Sequence, residues 1–302
     1  MKKIFALLVF GLGLMFQLAA QDAPAEKEAP KAKFARATFN STRVINLQSP
    51  EIVSKGSLQF LISHHFSYIW NKDAGSQNLA QFFGLNSGVA HTYLSFDYSP
   101  TNYMNLGFAM AGGSKYEGWA KFKILRQQSG AKNVPLTLSF YSMAHVNTTK
   151  DADITLGWNK FAFVNQLIIA RKFSDKFSLE LVPSWIHFNV VPYGINNSNE
   201  VFNIGIAGKY KATPKLNLVF EYARQLNMYE NLISKNGSIL NYEPNLLSAG
   251  VEVNSGGHLF QFYIGSTTDA SLVDQLARNT SALSKGNLAF GFTLNRSLSL
   301  KK

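Results

Sequence analysis

The sequence feature that most constrains the fold is a period-two alternation of apolar and polar residues, repeated in long segments. The clearest segment spans residues 287–300, where apolar Leu288, Phe290, Phe292 and Leu294 alternate with small or polar residues. Such alternation places successive side chains on opposite faces of a β-strand, whereas helical spacing does not fit these segments. The chain is therefore expected to be all-β.

Twelve segments of this kind follow Gly56, and tight turns alternate with longer connections between them. An even strand number, with short turns at one end and long loops at the other, is typical of bacterial outer-membrane barrels. The pattern predicts an antiparallel up-and-down transmembrane barrel of about twelve strands, with both termini in the periplasm. The expected strands are 56–70, 88–98, 102–112, 117–127, 134–145, 160–173, 176–188, 200–211, 215–225, 245–254, 257–266 and 286–300.

Composition separates a membrane barrel from its alternatives. Charged residues are 16% of the chain and aromatic residues 13%, against about 25% charged in soluble domains. Beyond the N-terminus, no apolar run reaches the roughly 18 residues of a membrane helix. A soluble β-sandwich or lipocalin-like barrel is the alternative. It is disfavoured because sandwich strands average about five to six residues, shorter than these segments. Aromatic residues near strand ends also suit the two membrane interfaces; these are Tyr68, Trp70, Tyr98, Tyr103, Trp119, Trp158, Trp185 and Tyr210.

The N-terminus has the pattern of a secretory signal peptide. Lys2 and Lys3 precede an apolar stretch that ends in small residues, so residues 1–20 are expected to be cleaved near Ala20. A short membrane anchor is the alternative, although the apolar stretch is short for one. Residues 21–33 are rich in Ala, Pro, Lys and Glu and are expected to form a periplasmic linker. Residues 34–55 come before the barrel, which is expected to span 56–302.

Several chemistries are excluded or disfavoured. The chain has no cysteine, which removes disulfides, thiolate metal sites and thiol nucleophiles. The net charge is +11, but the basic residues form no cluster interleaved with aromatics, so no nucleic-acid partner is expected. The adjacent His64 and His65 point to opposite faces of a strand. The remaining histidines are isolated, and neither a metal site nor a cofactor is expected.

An outer-membrane lipid enzyme is the enzymatic alternative. The outer-membrane phospholipase uses a Ser–His–Asn arrangement, and its His-x-Ser-Asn-Gly string is absent here. The nearest approach, residues 196–199 (Asn-Asn-Ser-Asn), lacks a histidine two residues before the serine. No catalytic residue is assigned, and the chain is not expected to be an enzyme.

The polar face of the strands identifies candidates that line the lumen. Alternation directs a histidine and seven charged residues inward with nearly balanced signs, whereas an anion pore is expected to carry a ring of one sign. These charges could line an open passage or form cross-lumen ion pairs that stiffen a closed barrel. The candidates are His65, Asp97, Lys121, Lys123, Glu180, Lys209, Glu221 and Glu252.

Residues 34–55 contain polar side chains that suit a plug inside the lumen. The plug candidates are Arg43, Asn46, Gln48 and Glu51. A periplasmic lid and an additional strand pairing are the alternatives.

Three strings give the chain a family resemblance. They are ATFNSTRVINLQSPEIVSKGSLQFLISHHF at 37–66, FFGLNSG at 82–88 and KFKILRQQSGAKNVPLTLSF at 121–140. In this order they resemble the domain-of-unknown-function 5777 family of outer-membrane β-barrels, from about residue 36 to the C-terminus. The resemblance implies an outer-membrane barrel of a Gram-negative cell with no established activity. The family usually has arginine where this chain has His65, so the interior charge of this member is expected to differ.

The leading functional hypothesis is passage of a small solute through a polar lumen. The alternative is a closed structural barrel that presents its long loops or binds a periplasmic protein through residues 21–55. Its partners would then be outer-membrane lipid and that protein. The expected location is the cell outer membrane.

Overall fold

The computed structural model describes residues 31–72, 75, 79, 90–149, 160–190, 198–227, 245–279, 281 and 286–300. The expected signal peptide and most of the linker lie outside them. The described elements are β1 (Lys33–Phe34), β2 (Ser57–Trp70), β3 (His91–Tyr98), β4 (Met104–Ala111), β5 (Lys115–Leu125), β6 (Gln128–Ser129), β7 (Thr137–Asn147), β8 (Phe161–Lys172), β9 (Phe177–Phe188), β10 (Glu200–Lys211), β11 (Leu216–Gln225), β12 (Leu246–Ser255), β13 (His258–Gly265), α1 (Leu272–Ala277) and β14 (Leu288–Ser299).

Twelve strands form one closed antiparallel barrel. Each pairs with its neighbour in the chain, β6 being passed over, and β14 pairs with β2 to close the sheet. Closure removes the exposed strand edges that an open sheet would leave. The predicted twelve-stranded up-and-down barrel is confirmed. The two remaining strands, β1 and β6, pair with each other outside the barrel wall.

The two faces of the wall differ in chemistry. On β10 the exposed side chains include Phe202, Ile204 and Ile206, while Val201 and Asn203, which alternate with them, are buried. The same period runs through the other strands, so a band of large apolar side chains covers the outside, as a lipid-facing wall requires. In the described part of the chain, no helix is both long and apolar enough to cross a membrane.

The two ends of the barrel differ in their connections. At one end, here the short-turn end, the connections include residues 99–103, 173–176, 212–215 and 256–257. Gly256 and Gly257 both have positive φ, which a two-residue hairpin turn of the primed type demands. The connections at the opposite, long-loop end are longer, except 112–114 between β4 and β5. Residues 31–56 join the barrel at the short-turn end.

Trp119 corrects one expectation about the interfacial aromatics. Its side chain is buried inside the barrel, and the indole N–H donates to Asp97 Oδ1 at 3.1 Å. Gly107 on the neighbouring strand leaves room for the ring, since a Cβ there would lie 2.2 Å from the indole. Trp70, Tyr98, Tyr103, Trp185 and Tyr210 are exposed, whereas Trp158 lies outside the described residues.

Candidate functional site: the barrel interior

The barrel interior contains residues 38–53, here called the N-terminal segment. Phe39, Val44 and Leu47 are buried among the inward side chains of the wall. The segment folds back on itself, with the Val44 N–H donating to the Leu47 carbonyl at 2.9 Å. Of the three roles weighed for residues 34–55, burial in the lumen supports the plug. The extra pairing also occurs, but only at Lys33–Phe34 in β1.

Glu221 on β11 holds the tip of the N-terminal segment. Its carboxylate accepts hydrogen bonds from the backbone N–H groups of Ile45, Asn46 and Leu47 at 2.9–3.3 Å. The Asn46 side-chain amide adds a further bond at 2.6 Å. Glu221 is fully buried, so these donors replace the water that a carboxylate otherwise requires. The inserted segment thus supplies the hydrogen bonds that this buried wall carboxylate requires.

Lys121 on β5 makes the complementary contact with carbonyl groups. Its ammonium donates to the carbonyl oxygens of Thr42, Ser49 and Glu51 at 2.8, 2.9 and 3.2 Å. Lys123, two residues further along the same face, pairs with the Glu51 carboxylate at 3.4 Å. An ammonium has three donors and no acceptor, and Lys121 uses all three on the N-terminal segment.

Lys209 and Glu252 contact the start of the N-terminal segment. Lys209 donates to the Ala37 carbonyl at 2.7 Å and to Asn40 Oδ1 at 3.1 Å, and Asn40 donates to Glu252 at 2.6 Å. In the described part of the chain, neither Lys121 nor Lys209 lies within 4 Å of a carboxylate on the wall. The cross-lumen ion pairs considered from the sequence are therefore replaced by contacts with the N-terminal segment.

Arg43 reaches the long-loop half of the interior. Its guanidinium hydrogen-bonds the Tyr93 hydroxyl, lies 4.1 Å above that ring's centroid, and stands 3.9 Å from Glu117 Oε2. Tyr93 in turn donates to the same Glu117 oxygen at 3.0 Å. The pairing satisfies a buried guanidinium that would otherwise be costly to dehydrate.

A second insertion, here called the loop segment, comprises residues 266–279 between β13 and β14. All residues of α1 are buried, with Leu272, Val273 and Leu276 packed in the core. Glu117 Oε1 accepts from the Leu272 N–H at 3.1 Å and the Ser271 hydroxyl at 2.9 Å. The alternative hypothesis of a closed barrel counts the connection between β13 and β14 among the long loops that the barrel presents. Its residues 266–279 instead lie inside the barrel, because their apolar side chains find a dry surface there.

Asp274 fixes the loop segment to the wall through charge. It pairs with Lys115 at 2.6 Å and with Arg278 at 3.7 Å. Burial raises the pKa of the Asp274 carboxyl, but Lys115 and Arg278 lower it by more, so the pKa lies below its ordinary value. The carboxyl of Asp269 shows the opposite balance, since burial and Asp274 raise its pKa.

The two inserted segments meet inside the barrel. The Gln275 side-chain amide of α1 donates to Asn46 Oδ1 at 2.9 Å. Glu117 also bridges them, with one carboxylate oxygen on the loop segment and the other on the Arg43–Tyr93 pair. The lumen is consequently filled from both ends.

The other candidate residues occupy different positions inside the barrel. His65 contacts the Tyr263 hydroxyl at 3.1 Å, and Asp97 accepts from Asn105 at 2.6 Å. Gln48 is buried, and its backbone forms an isolated antiparallel β-bridge with the backbone of Arg43. Glu180 is buried on the wall, and within the described structure neither of its carboxylate oxygens has a hydrogen-bond partner.

The sequence reasoning missed Glu117, which contacts both inserted segments. The period-two rule that selects Lys121 and Lys123 also selects Glu117 on the same face of β5, so the signal was present. It also missed Phe39, Val44 and Leu47, because the plug was sought only among polar side chains. In the described residues, no cluster of three or more His, Cys, Asp or Glu side chains could hold a metal ion.

An apolar outer band around a closed barrel with a polar, filled interior defines a membrane-bound β-barrel of the outer-membrane type. The chain belongs to the family described as "Membrane bound beta barrel domain (DUF5777)", whose sequence profile covers residues 39–298. The expected family is therefore confirmed. The match begins at Phe39, so it includes the N-terminal segment as well as the wall.

Solved structures share the fold at low sequence identity. The COG4313 outer membrane channel from Pseudomonas putida F1 is 12% identical with a TM-score of 0.52, over 82% of this chain and 97% of that one. The NanC porin is 7% identical with a TM-score of 0.48, over 80% and 100% of the two chains. A comparison with curated proteins gives no match. At 12% identity, the likeness to the outer membrane channel describes the barrel fold alone.

Proposed function

We propose that this barrel lets a small solute cross the outer membrane through a lumen that the N-terminal segment closes. The observation that carries the proposal is the pairing of wall charges with that segment. Glu221 and Lys121 form hydrogen bonds with its backbone instead of with the opposite wall. When the segment leaves, the short-turn half of the lumen is lined by charged groups that attract water and polar solutes. The loop segment, which contacts it through Gln275 and Asn46, must also move for a solute to pass.

The direction of opening follows from where the segment joins the barrel. It enters at the short-turn end, which in outer-membrane barrels faces the periplasm, so both termini are proposed to be periplasmic. Residues 21–33 would then be accessible to a periplasmic protein that withdraws the segment. The chain needs no catalytic residue, metal or cofactor for this role.

A reversible crosslink tests the proposal, because the chain contains no cysteine of its own. The Asn295 side chain donates to the Ser41 hydroxyl at 2.9 Å, so S41C/N295C can tie the N-terminal segment to the wall. The matched control is S63C/T293C, whose native hydroxyls also lie 2.9 Å apart but belong to the adjacent strands β2 and β14.

Conductance in a planar bilayer gives the readout. Deletion of residues 36–53 together with residues 268–279 of the loop segment should produce steady conductance steps, and crosslinked S41C/N295C should be silent until it is reduced. Crosslinked S63C/T293C should behave as the unmodified protein does. A deletion variant that inserts correctly and stays silent would contradict the proposal.

The second candidate is a closed barrel that presents its loops or docks a periplasmic partner. It is favoured by the contact between Gln275 and Asn46, which joins the two insertions inside the lumen. A silent deletion variant, together with loss of a co-purifying periplasmic protein on removal of residues 21–55, would support this function instead.

A further inference from the structure

A cleft of about 850 Å³ opens at the short-turn end of the barrel, between three pieces of chain. The first is residues 33–36, which comprise β1 and the two residues after it. The second is the connection from β5 to β7, which contains β6, and the third is the turn from β8 to β9. The volume lies within the range of small-molecule sites, about 300–1,000 Å³. The cleft is therefore large enough for a small ligand or a lipid headgroup.

Hydrogen bonds between the three pieces fix the shape of the cleft. The Gln127 side-chain amide donates to the Lys172 carbonyl at 2.9 Å, and its oxygen accepts from the Lys172 N–H at 2.8 Å. The Ala35 N–H donates to the Gln127 carbonyl at 2.9 Å, and Lys172 Nζ donates to the Arg36 carbonyl at 3.0 Å. A cleft that is formed in advance costs less conformational entropy to occupy.

The lining of the cleft is strongly basic. It contains four cationic residues and one carboxylate, namely Lys33, Arg36, Arg171, Lys172 and Asp175. Asp175 is fully exposed and pairs with Lys172 at 3.6 Å. Within the described part of the chain, Lys33, Arg36 and Arg171 form no ion pair. The lining has a net charge of +3, so its electrostatic complement is an anion.

The cleft adjoins the lipid-facing surface of the wall. Arg171 is the last outward-facing residue of β8, and its guanidinium lies 5.1 Å from the centroid of the exposed Phe173 ring. Ile124 and Leu125 are exposed at the end of β5, the strand that leads into the cleft, and Phe34 in the lining is exposed as well. Cations beside exposed apolar side chains at the end of a membrane strand suit the level where headgroups meet acyl chains.

We propose that this cleft binds the phosphate headgroup of an anionic phospholipid from the membrane leaflet at the short-turn end. The phosphate accepts hydrogen bonds from Lys33, Arg36 and Arg171, since a guanidinium can donate two parallel bonds to it. The acyl chains lie on the wall over Ile124 and Phe173. An acidic protein would meet the same charges, but the outward position of Arg171 and the apolar residues beside it favour a lipid. The site does not depend on passage through the lumen.

Native mass spectrometry of the purified protein in a neutral detergent tests the site. The protein is titrated with phosphatidylglycerol and, separately, with phosphatidylethanolamine of the same acyl chains, and the fraction that carries one lipid is measured. Phosphatidylglycerol should bind about tenfold more tightly, because its headgroup lacks the ammonium that the cations of the cleft repel. Equal affinity for the two lipids would overturn the proposal.

Two double variants of exposed residues localise the binding. K33Q/R171Q removes two cations from the cleft and should weaken phosphatidylglycerol binding about thirtyfold, as expected of two charges near a membrane surface. K55Q/R296Q is the matched control, which removes the same charge from the opposite side of the barrel. Arg296 faces outward at the short-turn end of β14, six strands from β8. Equal weakening by the two variants would show that binding follows net charge, and it would exclude the cleft.

Two soluble ligands separate a lipid from other anions. Glycerophosphoglycerol, the same headgroup without acyl chains, should bind about a hundredfold more weakly, because it leaves the apolar residues beside the cleft uncovered. A hexaglutamate peptide should not displace phosphatidylglycerol. If either ligand bound as tightly as the lipid, with the same loss in K33Q/R171Q, the occupant would be a soluble anion or an acidic protein, and the proposal would be wrong.

Discussion

The two inserted segments fill the same lumen but are held by different forces. The N-terminal segment is irregular, and wall charges hold its backbone: Glu221 binds three of its N–H groups and Lys121 three of its carbonyls. The loop segment forms a short helix whose leucines pack in the core, with charge contacts at Glu117 and Asp274. Both segments bury apolar side chains, Phe39, Val44 and Leu47 among them, but the N-terminal segment depends more on wall charges that bind its backbone.

This difference indicates which segment is released from the lumen more readily. The free energy of apolar burial is roughly proportional to the buried area and does not depend on direction. The helix is therefore stabilised as long as its apolar side chains stay buried. Hydrogen bonds to water can replace the contacts of Glu221 and Lys121 when the lumen hydrates, so their net contribution is modest. We therefore expect the N-terminal segment to exchange between inserted and released states more readily than the loop segment. Hydrogen–deuterium exchange by mass spectrometry reads both segments in one sample.

The largest effect is expected from E221A. Removing the carboxylate leaves the amides of residues 45–47 without a buried acceptor, which should destabilise the inserted N-terminal segment by about 4 kcal/mol. Exchange of these amides should rise by roughly a thousandfold, while α1 changes far less. E180Q is the matched control, since this inward carboxylate has no hydrogen-bond partner in the described structure. Equal effects of E221A and E180Q would contradict the assigned anchorage.

The complementary variant for the loop segment is L276A. Leu276 is 1% exposed, and a buried Leu→Ala change costs about 3 kcal/mol through lost apolar contact and a cavity. Exchange should accelerate in α1 and remain nearly unchanged at residues 45–47. A comparable increase in both segments would show that they open as one unit, and the comparison drawn above would fail.

K121M should have an intermediate effect on the N-terminal segment. The variant keeps an unbranched apolar side chain close to the length of the lysine stem but leaves three carbonyl oxygens without their donor, at a cost of about 2 kcal/mol. K123M is the control, because Lys123 makes a single 3.4 Å contact with the partly exposed Glu51. Exchange of residues 42–51 should increase more in K121M than in K123M, and the reverse order would be inconsistent with the structure.

The smallest effect is a loss of the loop segment's anchorage in acid. The folded pKa of Asp274 is lower than its ordinary value, so its contribution to stability is present above about pH 4 and is lost as the pH falls through the folded pKa. Exchange of α1, corrected for the intrinsic pH dependence, should increase below that pH. D274N should remove the Asp274 contribution to this increase, and D269N should retain it. An unchanged acid response in D274N would assign the effect to another group.

Much of the wall could be predicted from the sequence. Alternation is a local property, because successive side chains of a strand point to opposite faces whatever the strand pairs with. It located β14 within two residues at each end of the expected segment 286–300 and placed Glu221 and Lys121 on the inward side. Trp119 shows the limit of reading residue type alone: an aromatic suited to the membrane interface lies inside, because Gly107 leaves space for it.

The sequence by itself determined the class of fold, the number of strands and the two faces of the wall. Only the tertiary structure decided what fills the lumen. Residues 46 and 221, or 46 and 275, are joined by contacts across some 175 and 229 positions of chain, and no periodic pattern connects them. Such pairings depend on the shape of the closed barrel and on which buried groups still need a partner. They exist only once all twelve strands are in place.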